Sequence, residues 1–135
     1  MSIITEEQQK QLWEKAQQAY QKAYAPYSQF QVGAALLTEQ GQIFTGCNVE
    51  NVSYGLTICA ERNAIAAAVA TEGGKEMKIQ AIAIANNRQI PCSPCGACRQ
   101  VIAEFAHKNT IVIFLGQQGL QTSTITDLLP AGFSF

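Results

Sequence analysis

Charged residues are scarce in this sequence, and no stretch concentrates positive charge. Only 14% of the 135 residues are Asp, Glu, Lys or Arg, and the formal net charge is −1. Proteins that bind DNA or RNA usually present a basic patch to the phosphates. The composition therefore argues against a nucleic-acid partner and favours a small substrate.

Segments that would carry the chain to or across a membrane are also missing. No stretch approaches the ~20 consecutive apolar residues of a membrane-spanning helix. The N-terminus lacks the basic region and the apolar core of a secretory leader. We therefore expect a cytoplasmic protein with no membrane partner.

Histidine is nearly absent, since His107 is the only one. The sequence places it at the end of a helix, where a histidine usually interacts with the helix C-terminus or with solvent. Hydrophobic residues, by contrast, make up 47% of the chain. With so few charges to cover the surface, part of this apolar area is expected to be buried against other subunits.

The pattern of apolar and turn residues predicts one α/β domain over residues 1–135. Helices are expected at residues 6–23, 59–71 and 94–105, with a helical turn at 126–130. Strands are expected at residues 30–38, 43–48, 79–85, 110–115 and 120–123. In the third strand, Ile79, Ala81 and Ala83 should share one face. The order α-β-β-α-β-α-β-β implies a mixed sheet with helices on both faces.

Five cysteines are present, and Cys92, Cys95 and Cys98 fall within seven residues. In a reducing compartment such a cluster favours metal binding over disulfide bonds. Cys95 and Cys98 are one helical turn apart, so both sulfur atoms can reach one ion. Cys59, which begins another predicted helix, would supply the third ligand. A catalytic zinc site with three protein ligands keeps one position for water.

Cys92 leaves a second interpretation open. Residues 91–95 also read Pro-Cys-x-x-Cys, and a purely structural zinc site would need a fourth ligand, which Cys92 could be. We prefer Cys95 and Cys98 because Pro94 opens the predicted helix, whereas Cys92 precedes it in a loop.

Glu61 follows Cys59 at the start of the same predicted helix. A carboxylate beside a metal ligand suits a group that moves protons. The order ligand-x-Glu, followed by Pro-Cys-x-x-Cys, matches the signature of zinc deaminases. The first ligand here would be Cys59 rather than histidine.

Two arginines are placed to adjust the charge of such a cluster. Three thiolates on Zn²⁺ would leave a net negative charge and a poorly acidic water. Arg62 lies three residues after Cys59, and Arg99 lies four after Cys95, on the same helical faces as those ligands. Charge-assisted hydrogen bonds from both arginines to the thiolates would restore the acidity of the water.

The motifs together resemble those of the small, three-cysteine cytidine deaminases over nearly the whole chain. The matching segments are residues 27–36 (YSQFQVGAAL), 46–57 (GCNVENVSYGLT), 59–62 (CAER), 94–100 (PCGACRQ) and 128–133 (LLPAGF). The resemblance implies a three-layer α/β/α sandwich with a five-stranded mixed sheet. It also implies a homotetramer that binds one Zn²⁺ per subunit. The implied reaction converts cytidine and deoxycytidine to uridine and deoxyuridine in pyrimidine salvage.

The resemblance further implies roles for individual residues. Cys59, Cys95 and Cys98 would bind zinc. Zinc-bound hydroxide would attack C4 of the base, while Glu61 would carry the proton to N3 and help ammonia leave. The residues expected at the substrate are Asn48 and Glu50 at the ribose, Phe30 and the backbone of Ala60 at the base, and Phe133 at a neighbouring subunit's site.

Three other functions remain open on the sequence. A deaminase of another amino-substituted nucleoside, such as blasticidin S, would share the zinc motif, although residues 48–51 and Arg62 favour cytidine. A polynucleotide deaminase is disfavoured by the missing basic patches. A non-catalytic zinc module would use Cys92 as its fourth ligand. Tyr54 is undecided between the pocket wall and a subunit contact.

Overall fold

Four helices and five strands make up the fold in a computed structural model that describes residues 4–133. The helices are α1 (Glu6–Tyr20), α2 (Ala60–Glu72), α3 (Gly96–Glu104) and the short α4 (Ile125–Leu128), and a single 3₁₀ turn spans Tyr54–Leu56. The strands are β1 (Val32–Thr38), β2 (Ile43–Cys47), β3 (Ile79–Asn86), β4 (Ala106–Gly116) and β5 (Gly119–Thr124).

The strands form one mixed sheet in the order β2-β1-β3-β4-β5. Strand β1 is antiparallel to both β2 and β3, β3 and β4 are parallel, and β4 is antiparallel to β5. Helix α1 packs on one face, and α2, α3 and α4 contribute to the core on the other. The predicted three-layer α/β/α sandwich is thereby confirmed.

Strand β3 lies at the centre of the sheet and is buried along its whole length. Ala81 and Ala83 face α1, whereas Ile82 belongs to the core under α2 and α3. Ile79 joins the face of Ile82, so the prediction that it shares a face with the two alanines was wrong. The register against β4 shifts between residues 79 and 81, and such an irregularity breaks the two-residue alternation of side chains.

Two glycines allow the backbones of the long helices α1 and α2 to lie in contact with the backbone of the sheet. A Cβ atom on Gly33 would lie 2.1 Å from the carbonyl oxygen of Ala16 in α1, and one on Gly46 would lie 2.6 Å from that of Ala60 in α2. Gly46 therefore sets how closely the start of α2 can lie against β2. At its other end, α2 stops at Gly73, whose φ of 89° is the left-handed conformation that favours glycine.

Other local predictions also differ from the structure. Helix α1 ends at Tyr20 rather than residue 23, because Tyr24 leaves the helix to pair with Val49. Pro94 is not the first helical residue, since Cys95 is the N-cap of α3. His107 lies in β4, not at a helix end, with Nε2 3.0 Å from Glu39 Oε1, because β4 starts to pair with β3 at residue 106.

Among the helices described, none is long and apolar enough to cross a membrane.

Candidate active site

The beginnings of α2 and α3 bring three cysteines together. Cys59 is the N-cap of α2, Cys95 is the N-cap of α3, and Cys98 lies in the first turn of α3. Their sulfur atoms all lie within 4.8 Å of one another. Both helix N-termini direct their positive dipole ends at the cluster, which favours thiolates there.

The donor set fits a zinc ion. Four ligands at the usual Zn–S length of ~2.3 Å stand ~3.8 Å apart in a tetrahedron, which is compatible with the separations in this cluster. Three thiols from two helices would leave one of the four ligand positions open. Among the residues described, Cys92 lies outside the cluster. The four-thiolate site of a non-catalytic module is therefore not supported by the geometry.

The thiols of the cluster differ in their affinity for protons. The neighbouring Cys98 thiol, together with Arg62, lowers the pKa of Cys59 to about 5. The hydrogen bond between the Cys98 and Cys59 side chains, together with burial, raises the pKa of Cys98. One thiolate therefore forms readily, and its negative charge makes ionisation of the next thiol more costly.

The two arginines expected beside the thiolates make different contacts. Arg62 Nη2 lies 3.3 Å from Cys59 Sγ. Arg99 instead donates to the carbonyl oxygens of Pro94 and Leu128 and to the hydroxyl of Ser93. The prediction for Arg99 is corrected accordingly: its guanidinium ties α3 to α4 and to the preceding loop, because their carbonyl groups lie within its reach.

Glu61 is almost completely enclosed, with 4% of its surface exposed. Burial raises the pKa of its carboxyl to about 7, because an apolar environment disfavours the charged form. A carboxyl group with such a pKa can both accept and release a proton near neutral pH.

A largely apolar cavity of about 240 Å³ opens beside Glu61 and the cysteines. Some residues of its lining were predicted from the sequence and others were not. The four that had no role in the site as predicted from the sequence are Val32, Thr57, Ile84 and Ser93. The predicted residues at its wall are Phe30, Asn48, Cys59, Ala60, Glu61 and Cys95, and Cys92 also lies there. The spacing of Val32, two residues after Phe30 on an extended segment, is the one signal that could have pointed to it.

Asn48 and Glu50 are both buried, and both bind the segment that leads into β1. Asn48 Oδ1 accepts from the backbone N–H of Val32 at 2.8 Å, and its Nδ2 donates to the carbonyl oxygen of Phe30 at 2.9 Å. Glu50 accepts from the N–H groups of Tyr27 and Ser28 and from the Ser28 hydroxyl. Glu50 does not line the cavity in this subunit.

Phe133 lies away from the cavity. Its side chain is 69% exposed, and its backbone exchanges hydrogen bonds with the side-chain amide of Gln100. It borders a separate depression of about 520 Å³ next to α4. Within its own subunit, Phe133 therefore takes no part in the candidate site.

The family to which this site belongs is decided by comparison with known proteins. Residues 6–114 match the family model described as the cytidine and deoxycytidylate deaminase zinc-binding region. The chain belongs to this deaminase family. It is therefore an enzyme.

Individual relatives agree with this membership. The deaminase is 48% identical over 124 residues to a cytidine deaminase of Halalkalibacterium halodurans, covering 91% of this chain and 92% of the relative. It is 46% identical over 121 residues to a cytidine deaminase of Sporosarcina psychrophila, and the match covers 89% of this chain and 87% of the relative. The crystal structure of a cytidine deaminase from Mycobacterium tuberculosis superposes with a TM-score of 0.83 at 39% identity, covering 94% of this deaminase and 98% of that chain.

Proposed function

We propose that residues 1–135 form one catalytic domain that deaminates cytidine and deoxycytidine to uridine and deoxyuridine, with release of ammonia, in pyrimidine salvage. The observation that carries the proposal is the buried Glu61 beside a three-thiol cluster at the wall of a small cavity. Among the described residues that line this cavity there is no Lys or Arg. Such a lining suits an uncharged nucleoside better than a phosphorylated one.

Cys59, Cys95 and Cys98 would hold one Zn²⁺ per subunit. When bound, the ion would supply a Lewis acid that makes water nucleophilic near neutral pH. Arg62, with Nη2 3.3 Å from Cys59 Sγ, would draw electron density from that thiolate and so limit the negative charge of the cluster.

Glu61 is the proton carrier in this proposal. Its carboxylate accepts a proton from the attacking water and delivers it to N3 of the base, and it then assists the departure of ammonia. Burial supports this role because it holds the pKa of Glu61 at about 7, where the carboxyl group loses and regains a proton at little cost.

Other residues of the cavity would orient the nucleoside. The ring of Phe30 would pack against it, and the backbone of Ala60 would read the polar edge of the base. Asn48 and Glu50 would bind the ribose hydroxyl groups. Asn48 lines the cavity and keeps a second amide hydrogen beyond its bond to Phe30. Glu50 would reach the sugar through the remaining lone pair of Oε2, since Tyr27 and Ser28 engage the others.

We also propose that the protein is a cytoplasmic homotetramer, and exposed apolar side chains support the association of subunits. Between β2 and α2, Val52 is 80%, Tyr54 72% and Leu56 66% exposed. Contiguous exposed apolar residues are typical of protein interfaces. We assign Tyr54 to a subunit contact, and Phe133 to the completion of a neighbouring site. Light scattering should give four times the subunit mass, and Tyr54→Lys should lower it; a wild-type monomer would contradict this part.

The function is tested by following the ultraviolet absorbance of cytidine, deoxycytidine, deoxycytidine monophosphate and blasticidin S with the purified protein. We expect conversion of the first two, loss of conversion in Glu61→Ala with zinc content unchanged, and loss in wild type after chelation. Turnover of blasticidin S alone would replace the proposed substrate. No turnover of any compound by zinc-loaded protein would refute the proposal.

A further inference from the structure

Phe30, a wall of the cavity, is held by a loop that no motif singles out. The Arg88 guanidinium carbon lies over the Phe30 ring, 5.4 Å from its centre. Arg88 Nη2 also donates to the backbone carbonyl oxygen of Ser28 at 3.0 Å. One side chain therefore contacts both the ring and the backbone two residues before it.

The same loop is joined to the Phe30 segment by hydrogen bonds of the Asn87 side chain and backbone. Gln31 N–H donates to Asn87 Oδ1 at 3.0 Å, and Asn87 N–H donates to the Gln31 carbonyl oxygen, also at 3.0 Å. These bonds lie one residue from Phe30 and one residue from Arg88. The two segments are thus aligned at the point where the guanidinium meets the ring.

Each of the two segments contains a residue whose backbone conformation is rare for residues other than glycine. Gln29 has φ of 57° and Gln89 has φ of 52°, in the left-handed region that costs energy for residues other than glycine. Such conformations persist when surrounding contacts impose them. Contacts of Asn87 and Arg88 join these two turns, beside the pairing of Val32 with Asn86.

Ser28 is held from two sides. Its carbonyl oxygen accepts from Arg88, and its hydroxyl donates to the Glu50 carboxylate. Farther along, the Arg88 loop leads to Ser93 and Cys95 at the cavity. Arg88 therefore connects the aromatic wall of the cavity with the loop that enters the metal cluster.

We propose that Arg88 is a positioning residue for nucleoside binding: by stacking on Phe30 and binding Ser28, it holds the ring in place as a preformed wall of the cavity. This inference rests on the proposed function, because it assumes that Phe30 packs against the substrate. A preformed wall lowers the cost of ordering the site when substrate binds. Its loss weakens ground-state and transition-state binding alike, which raises KM and leaves kcat nearly unchanged.

The test compares Arg88→Met, which keeps the aliphatic stem without the charge, with Arg88→Lys, which keeps a cation. We expect KM for cytidine, and Kd for uridine by calorimetry, to rise about 3- to 10-fold in Arg88→Met, with kcat within about twofold. Arg88→Lys should recover part of the loss. Lys75→Met, at an exposed position in the turn after α2, should match wild type.

The link to Phe30 is tested by a double-mutant cycle. When Phe30→Leu is already present, the stacked ring is gone. Adding Arg88→Met should therefore raise KM and Kd by less than about twofold relative to Phe30→Leu alone. Fully additive effects, or unchanged KM and Kd in a folded Arg88→Met, would overturn the proposal. If wild type binds uridine but does not deaminate cytidine, the proposed function fails and the Kd values still decide the role of Arg88. Absence of nucleoside binding would overturn both.

Discussion

Asn48 Nδ2 donates a hydrogen bond to the carbonyl oxygen of Phe30 at 2.9 Å, while Oδ1 of the same side chain accepts from the N–H of Val32. One buried amide thus satisfies two backbone groups at the start of β1. Both flanking side chains, Phe30 and Val32, line the cavity. Asn48 therefore determines the shape of the cavity wall in addition to its proposed contact with ribose.

Replacement of Asn48 should affect stability and substrate binding together. Asn48→Ala leaves the Val32 N–H and the Phe30 carbonyl oxygen without this partner, which should lower the free energy of unfolding by about 1–3 kcal/mol and raise KM. Urea unfolding and steady-state kinetics measure the two effects. Asn109→Ala, at an exposed position in β4, is the control; equal behaviour of the two variants would contradict the prediction.

Arg62 and Arg99 should separate metal chemistry from stability. Arg62→Gln removes the charge beside Cys59 and should reduce zinc affinity or activity by about 10- to 100-fold, as measured by competition with a chromogenic chelator and by kcat. Arg99→Gln removes bonds to Pro94, Ser93 and Leu128 and should mainly lower the free energy of unfolding, by about 1–3 kcal/mol. If zinc affinity and catalysis are unchanged in Arg62→Gln, the proposed effect of Arg62 on the metal cluster is excluded.

Glu50 should make stability depend on pH in acid. The Ser28 hydroxyl, together with the N–H groups of Ser28 and Tyr27, holds the pKa of Glu50 below its ordinary value of 4.5. A carboxyl with a lowered folded-state pKa stabilises the fold above its unfolded pKa, and this contribution is lost as the pH falls through the folded pKa.

Ser28→Ala tests this dependence because it returns the pKa of Glu50 toward the ordinary value. The variant should be less stable than wild type at neutral pH, and the difference should shrink as the pH falls below 4.5. Thr122→Ala, at an exposed position in β5, should show no such trend. A difference between Ser28→Ala and wild type that stays constant through this acid range would rule out Glu50 as its source.

Gly46 should tolerate no side chain. A Cβ atom there would meet the backbone of α2, 2.5 Å from Ala64 N and 2.6 Å from Ala60 O. Gly46→Ala should therefore cost about 1–3 kcal/mol or more of stability and weaken zinc binding, because α2 carries Cys59 at its start. Thermal unfolding and metal titration measure both effects.

Gly74→Ala is the matched control for Gly46. Its added Cβ would approach only Val69 Cγ1, at 3.8 Å, which is ordinary van der Waals contact. Little change is expected in its stability or zinc affinity. Similar losses in the two glycine variants would show that the close approach of β2 and α2 is not the cause.

Arg62 and Arg99 also show where prediction from sequence stops. Both follow a cysteine at helical spacing, and this spacing predicts a shared helix face. Only Arg62 has a thiol within reach, because the carbonyl oxygens of Pro94 and Leu128 engage Arg99. The position of α4 depends on contacts between segments distant in sequence, and helical spacing carries no information about them.

Features that depend on neighbouring residues were determined by the sequence alone. The capping box of Thr5 and Gln8, the stop of α2 at Gly73, the order of the elements and the spacing of Cys95 and Cys98 on one helical turn all follow from local conformational preferences. Cys59 joins these two cysteines only because the fold brings the start of α2 beside the start of α3. The tertiary structure decided the strand order, the enclosure of Glu61 that raises its pKa, and the contact of Arg88 with Phe30. These features arise only when the packed sheet and helices exclude water and bring distant segments together, since burial and contact geometry are properties of the whole fold.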